Sequence, residues 1–297
     1  MADINAIIAA GLYKTKEKRM KKMRMFSILG LVTAAACLVT MASCSNNALI
    51  DEEDIVESSD TTVNASRSAS SSTVTYSAAS DICTYLYDGY NGGTKGPIII
   101  TKGLYKKGST SKTVYLVTLS GTENVSNQTT GYLTDALSGF NLDNLYYANT
   151  VNTIVDNIPK NANLILAGHS LGGMICQQVA SNSTIKSRYN VMNTVTFGSP
   201  LLAAGTREGT VKRLGDTSDI VPYLSGSLIN NTVWAIAGLN RENGGYGTDV
   251  YHAHTESYLR SDVWGKYDIT GTKNGGATLT LYLSTKTFYK SSTTVTD

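Results

Sequence analysis

From about residue 76 the chain settles into short apolar runs separated by polar turns, and the spacing of those runs predicts the elements. PIIITKGLYKK (97–107) and KTVYLVTLSG (112–121) are β-branched and aromatic stretches on either side of KGSTS, which predicts two paired strands. In LYYANTVNTIVDNIP (145–159), Leu145, Ala148, Val151, Ile154, Val155 and Ile158 recur at helical spacing until Pro159 ends the pattern. NLILA (163–167) is apolar at every main position, as in strands covered on both faces. A helix, LGGMICQQVASN, comes next, and then a second buried strand, NTVTFG (193–198). Strand, helix, strand in that order is a parallel α/β unit. YDITGTKNGGATLTLYLS (267–284) predicts a C-terminal β-hairpin around KNGG. The expected fold class is therefore α/β, with a mainly parallel central sheet flanked by helices and a C-terminal β-hairpin.

Ahead of this region the pattern changes. KTKEKRMKKMRM (14–25) is basic and FSILGLVTAAACLVTMA (26–42) is an apolar run, shorter than the ~20 residues that span a bilayer comfortably. The run ends in MASC (41–44), which resembles a bacterial lipoprotein signal, with Met41 in place of the usual Leu. That resemblance makes Cys44 the lipidated first residue of the mature chain and places the protein outside the cytoplasm, anchored in the cell envelope. The stretch before the basic segment exceeds an ordinary leader, which makes Met20, Met23 and Met25 alternative starts. SNNALIDEEDIVESSDTTVNASRSASSSTVT (45–75) is Ser/Thr-rich with few large apolar residues. It cannot bury enough surface to offset its ordering entropy and reads as a flexible tether. The expected organisation is a signal over 1–44, a tether over 45–75 and one globular domain over 76–297.

Charge narrows the partners. The sequence pI is about 8.2, but residues 1–44 hold seven of the 25 Lys/Arg and only two of the 23 Asp/Glu. The remainder carries 18 basic and 21 acidic groups, a net charge of −3. A nucleic-acid partner, which needs a basic face to displace counterions, is thereby disfavoured. Of the four cysteines, Cys37 and Cys44 belong to the leader; an exported chain permits a bond between Cys83 and Cys176, though their spacing does not require one. No His/Cys cluster has metal-ligand spacing.

GHSLGG (168–173), between the buried strand and the following helix, carries the chemistry. A nucleophilic serine needs a tight strand-to-helix turn, with glycines two residues to either side so that strand and helix do not collide. The competing account is a glycine-rich turn in which Ser170 caps the helix. A base must come from His169, His252 or His254, the only histidines in the chain. His169 adjoins the serine and is poorly placed to reach it, while His252 and His254 sit together in YHAHTESYL (251–259), after the serine. In an extended segment both would face one side; in a turn only one would point inward. The acid that orients the base has three sources, Asp216 and Asp219 in RLGDTSDIVPYLSG (213–226) and Asp249 just before the histidines, and spacing does not choose among them.

Taken in order, LSGT (119–122), GHSLGG, TFGSP (196–200), DIVPYL (219–224) and HTESYL (254–259) resemble the class 3 lipase family of α/β-hydrolases, over roughly residues 81–265. The resemblance implies a cofactor-independent carboxylic ester hydrolase acting on lipid-like esters, with Ser170 as nucleophile, Asp219 as acid and His254 as base. It implies backbone donors to the oxyanion from Thr122 and Leu171, and no metal. The family's F-R-G-T is L-S-G-T here, so its arginine is absent. Members of the family often carry an amphipathic lid after the oxyanion strand; that region, 123–144, is fairly polar here, while the more hydrophobic 227–240 is the expected pocket wall, or else a core helix or strand. Two alternatives stand beside the esterase reading: a hydrolase-fold surface lipoprotein without activity that binds glycan or protein, and a serine peptidase, which the TFGSP and DIVP context disfavours.

Overall fold

A computed structural model describes residues 72–121, 145–202, 205–223 and 239–291. The chain divides into two units, Met1–Ser66 and Arg67–Asp297, and every described residue belongs to the second. The signal, Cys44, Thr122 and the segments 123–144 and 224–238 lie outside the described residues.

The frame is a nine-stranded mixed sheet in the order β1-β8-β2-β3-β4-β5-β6-β7, with β9 pairing β2. Its strands are β1 (Thr73–Tyr76), β2 (Ile98–Lys107), β3 (Thr110–Leu119), β4 (Asn163–His169), β5 (Asn190–Phe197), β6 (Thr210–Asp216), β7 (Leu239–Glu242), β8 (Thr278–Tyr282) and β9 (Thr287–Tyr289). The expected α/β class is observed, but the sheet is mixed, because connection length sets strand direction. β2 and β3 are joined by a tight turn at Gly108 and pair antiparallel, Ile98 opposite Leu119. From β3 through β7 every pair is parallel. The β3-to-β4 and β4-to-β5 connections contain helices α2 (Leu145–Asn157), α3 (Leu171–Ser181) and α4 (Ser183–Arg188).

Both faces of the sheet are covered, which accounts for the unbroken apolar run in β4. Leu164 and Leu166 face one layer with Ile154 of α2 and Ile175 and Val179 of α3. Ile165 and Ala167 face the other, with Ile82 and Leu86 of α1 (Ala79–Tyr87) and the buried Trp264. Trp264 ends α6 (Ser261–Trp264), which follows α5 (Val250–Thr255) and a 3₁₀ turn, Ser257–Leu259. Cys83 lies in the α1 layer and Cys176 in the α3 layer; both are buried free thiols on opposite faces of the sheet.

The expected C-terminal hairpin is replaced by another arrangement. Tyr267 and Lys273 form only an isolated bridge. The buried Asp268 organises the loop instead, its carboxylate accepting from the amides of Thr270 (2.9 Å), Thr272 (3.1 Å) and Ala277 (3.0 Å). β8 then enters the sheet alone between β1 and β2, antiparallel to both. β1 begins at Thr73, three residues inside the stretch whose composition reads as tether. Among the described residues no helix is long and apolar enough to cross a membrane.

Candidate active site

The C-terminal ends of β3, β4, β5 and β6 meet at one edge, and the residues singled out by GHSLGG, TFGSP and DIVP sit there. Ser170 follows β4 directly and has φ 54°, ψ −124°, a conformation an L-residue rarely adopts. Such a turn costs on the order of 1–3 kcal/mol and persists only where the surroundings enforce it. Two glycines make the turn sterically feasible. A Cβ on Gly168 would lie 2.4 Å from the Gly172 carbonyl oxygen, and one on Gly172 would lie 2.1 Å from that of Leu119. The competing account of Ser170 fails at this point: it occupies the N-cap position of α3, yet its side chain makes no capping hydrogen bond. Its hydroxyl is therefore not committed to the helix. The Leu171 amide opens α3 and belongs to the first turn, whose N–H groups have no acceptor within the helix.

Asp219 and His254 come together at the same edge. His254 Nδ1 is 2.9 Å from Asp219 Oδ2, with the carboxylate fully buried and the imidazole partly exposed. A carboxylate only accepts, so Nδ1 carries the proton and Nε2 is left with a lone pair. Asp219 Oδ1 accepts from the Val221 amide (2.9 Å), and Oδ2 also accepts the Tyr258 hydroxyl (2.6 Å). That hydroxyl in turn accepts the Asp216 amide at 3.1 Å. Burial, followed by the adjacent Asp219 charge, pushes the Tyr258 phenol well above its ordinary range, so it remains a donor. Beneath the Asp219 turn, the buried Arg213 donates to the carbonyls of Ser199 (3.0 Å) and Pro222 (2.6 Å), tying the end of β5 to the turn after β6. Burial lowers this guanidinium to about 10, still charged at neutral pH.

Gly198 brings the serine and the His–Asp pair to common ground. The Ser170 amide donates to the Phe197 carbonyl at 2.9 Å. A Cβ on the next residue, Gly198 (φ 56°), would lie 2.8 Å from Asp219 Oδ2 and 3.0 Å from His254 Nδ1. Ser170 and the Asp219–His254 pair thus flank the same dipeptide.

The alternatives left open by spacing separate cleanly. Asp216 is fully buried and accepts from the amides of Ser218 (2.8 Å) and Gly244 (2.9 Å) and the Ser257 hydroxyl (2.6 Å), so its carboxylate braces loops. Asp249 caps α5 and pairs with His252 Nδ1 at 2.6 Å, on the surface. Because 252–254 is helical, residues two apart point to nearly opposite sides, and only His254 faces inward. The hydrogen bond that His252 donates to Asp249 raises the His252 pKa, but this pair is solvent-exposed.

His169 packs against His254. Its ring lies 4.7 Å from that of His254, and its Nε2 is 2.9 Å from the His254 carbonyl oxygen. Burial, then the neighbouring His254, holds its pKa well below the usual histidine range. Of the two residues expected to donate to an oxyanion, Leu171 is the first residue of α3 and Thr122 lies outside the described residues. The chain reaches Gly121 at the elbow, where a Cβ would come within 2.9 Å of Ser170 Cβ. Tyr258, Tyr90 and Arg213 were not singled out by sequence; Tyr258 lies inside HTESYL, four residues after His254, and that spacing is the one signal that pointed to it. Among the described residues no group of three or more His, Cys, Asp and Glu is arranged to hold a metal ion. No protein-family model, curated protein or solved structure matches the chain.

Proposed function

We propose that the protein is an exported, lipid-anchored serine esterase of the α/β-hydrolase type, related to the class 3 lipases and acting on lipid-like carboxylic esters. The observation that carries the reading is Ser170: a strained strand-to-helix turn, a hydroxyl unused by the helix, and a hydrogen-bonded Asp219–His254 pair flanking the same Phe197–Gly198 dipeptide. A serine held in such a turn with no capping bond keeps its hydroxyl free ahead of a helix N-terminus, as a nucleophile requires.

In this reaction His254 Nε2 takes the Ser170 proton as Oγ bonds to the ester carbonyl carbon. The negative oxygen is received by the amide of Leu171 and, by resemblance, that of Thr122. Asp219 stabilises the imidazolium through Nδ1. The carbon–alkoxide bond breaks, the alkoxide leaves with the proton from His254, and water repeats the sequence to release the acid and regenerate Ser170. Cys44, as the acylated residue, would hold the enzyme at a membrane, where its substrates are.

The test is hydrolysis of p-nitrophenyl esters of increasing chain length by the full chain in detergent micelles. Ser170→Ala, Asp219→Asn and His254→Ala should each lower kcat by roughly 10⁴-fold or more, as removing members of such triads does. His252→Ala should retain activity. No turnover of any ester, or turnover that survives Ser170→Ala, would refute the proposal. Cys44→Ser should move the protein from the membrane to the soluble fraction.

A further inference from the structure

Around the reacting groups lies a chain of hydrogen bonds that the triad does not use. The Gly121 amide, at the end of β3, donates to the Tyr90 hydroxyl at 2.7 Å. That hydroxyl is 2.6 Å from His169 Nδ1, and His169 Nε2 is 2.9 Å from the His254 carbonyl. The directions are determined. A carbonyl only accepts, so Nε2 carries the hydrogen; burial disfavours a second proton on the ring, so Nδ1 is a bare acceptor and Tyr90 donates to it. Every bond therefore points the same way, from the strand end beside the nucleophile to the backbone of the base. Tyr87 adds a parallel tie, its hydroxyl donating to the Thr255 carbonyl at 2.5 Å. The carbonyls of His254 and Thr255 close α5 and are among those a helix cannot satisfy internally. The rings of Tyr87, Tyr90 and His169 pack within 4.9–5.9 Å of one another.

α5 needs such a tie. It is a single short helix of six residues, flanked by loops, and only its Ala253 side chain is fully buried. His254 must nonetheless stay in line with Ser170 as its proton is taken and returned, and a displacement of about 1 Å can cost on the order of 100-fold in rate. We propose that His169 is a positioning residue which, seated by Tyr90 and assisted by Tyr87, fixes the end of the His254 helix to the strand end leading into the oxyanion donor. Base and oxyanion site are then held in register by one side chain of the elbow itself. This inference rests on the esterase reading, and its test has a readout that does not.

His169→Phe keeps the ring and removes both hydrogen bonds; Tyr90→Phe removes the seat; His169→Gln restores a donor toward the His254 carbonyl. With p-nitrophenyl esters, His169→Phe and Tyr90→Phe should lower kcat roughly five- to tenfold or more with KM nearly constant, and His169→Gln should recover much of the loss. The chain has three histidines, so ring ¹⁵N spectra of the full chain in micelles resolve each one. The His254 ring signals should shift or broaden in both Phe variants and return toward wild type in His169→Gln. Wild-type kcat in both Phe variants, a loss confined to KM, or His254 signals that do not move overturns the proposal. Should His169→Phe fail to fold, Tyr90→Phe alone decides by the same readouts. Should the wild type cleave no ester, the esterase reading falls while the His254 signals still decide whether the tie exists.

Discussion

Gly172→Ala is the substitution for which the geometry makes its least intuitive demand. The residue is second in α3, where alanine ordinarily favours the helix by up to about 1 kcal/mol over glycine. Here the added carbon would sit 2.1 Å from the Leu119 carbonyl oxygen and 2.5 Å from that of Ser120. A tolerable carbon–oxygen contact begins at about 3.3 Å, so the helix start must retreat by about 1 Å. Neither obstacle can turn aside, since both are backbone atoms at the end of a central strand paired on each side. Overpacking of this kind costs about 3 kcal/mol, and the propensity gain leaves a net loss of about 2 kcal/mol. For a domain of this size that lowers the melting temperature by about 4–8 °C. The same retreat moves the Leu171 amide and Ser170 away from the end of β3, so ester hydrolysis should fall on the order of 100-fold in protein that remains folded. Thermal unfolding and p-nitrophenyl ester turnover on one preparation measure both. A variant as stable as wild type, or as active, would refute the claim that the elbow is closed against β3 at this residue.

Two further outcomes follow from the buried groups. His169 has a folded-state pKa depressed by burial, so below about pH 6.5 the unfolded chain binds a proton that the native state refuses. Its contribution is lost as pH falls, with a slope of up to about 1.4 kcal/mol per pH unit. His252 acts in the opposite sense: its raised pKa gives a contribution present below about 6.5 and lost as pH rises through the folded value. Urea unfolding between pH 7.5 and 5 should show a shallower acid-side loss in His169→Gln than in wild type; equal slopes would refute neutral burial of His169. Asp216→Asn should cost about 2–4 kcal/mol by leaving the Gly244 amide, Ser218 amide and Ser257 hydroxyl poorly matched, with residual activity per folded molecule well above that of Asp219→Asn. The reverse order of activities would exchange the two aspartates' roles.

Where each side chain's fate was decided locally, the sequence was readable. NLILA and NTVTF announce strands covered on both faces, and the helical spacing ending at Pro159 marks α2. The glycines around Ser170 announce a turn, since the chain itself supplies the steric need. Asp216 and Asp219 are three residues apart in one turn, and only partners about 40 residues further on, Ser257 and Tyr258 with His254, tell them apart. KNGG carries hairpin chemistry, but Asp268 captures the amides around it and frees β8 to pair with strands from the other end of the chain. α1 carries no clear periodic signal beyond Ile82 and Leu86, and its tyrosines become meaningful only against His169 and α5.

The pairing of β1 with β8 sets an order on how this molecule can come into being. Thr73 lies opposite Tyr282, and Thr75 and Thr280 join hydroxyls at 2.8 Å, across some two hundred residues of chain. β2 likewise receives β8 along Gly103–Lys106. Until β8 is present, β1 has no partner in the sheet and β2 offers an open edge that invites another chain. A nascent copy that has not reached β8 is therefore committed to waiting, with its sheet unsealed, and contacts so distant in sequence form slowly. The first strand of the sheet is the one that β8, some two hundred residues later, must arrive to lock, so the sheet closes only after every other strand but β9 has been made.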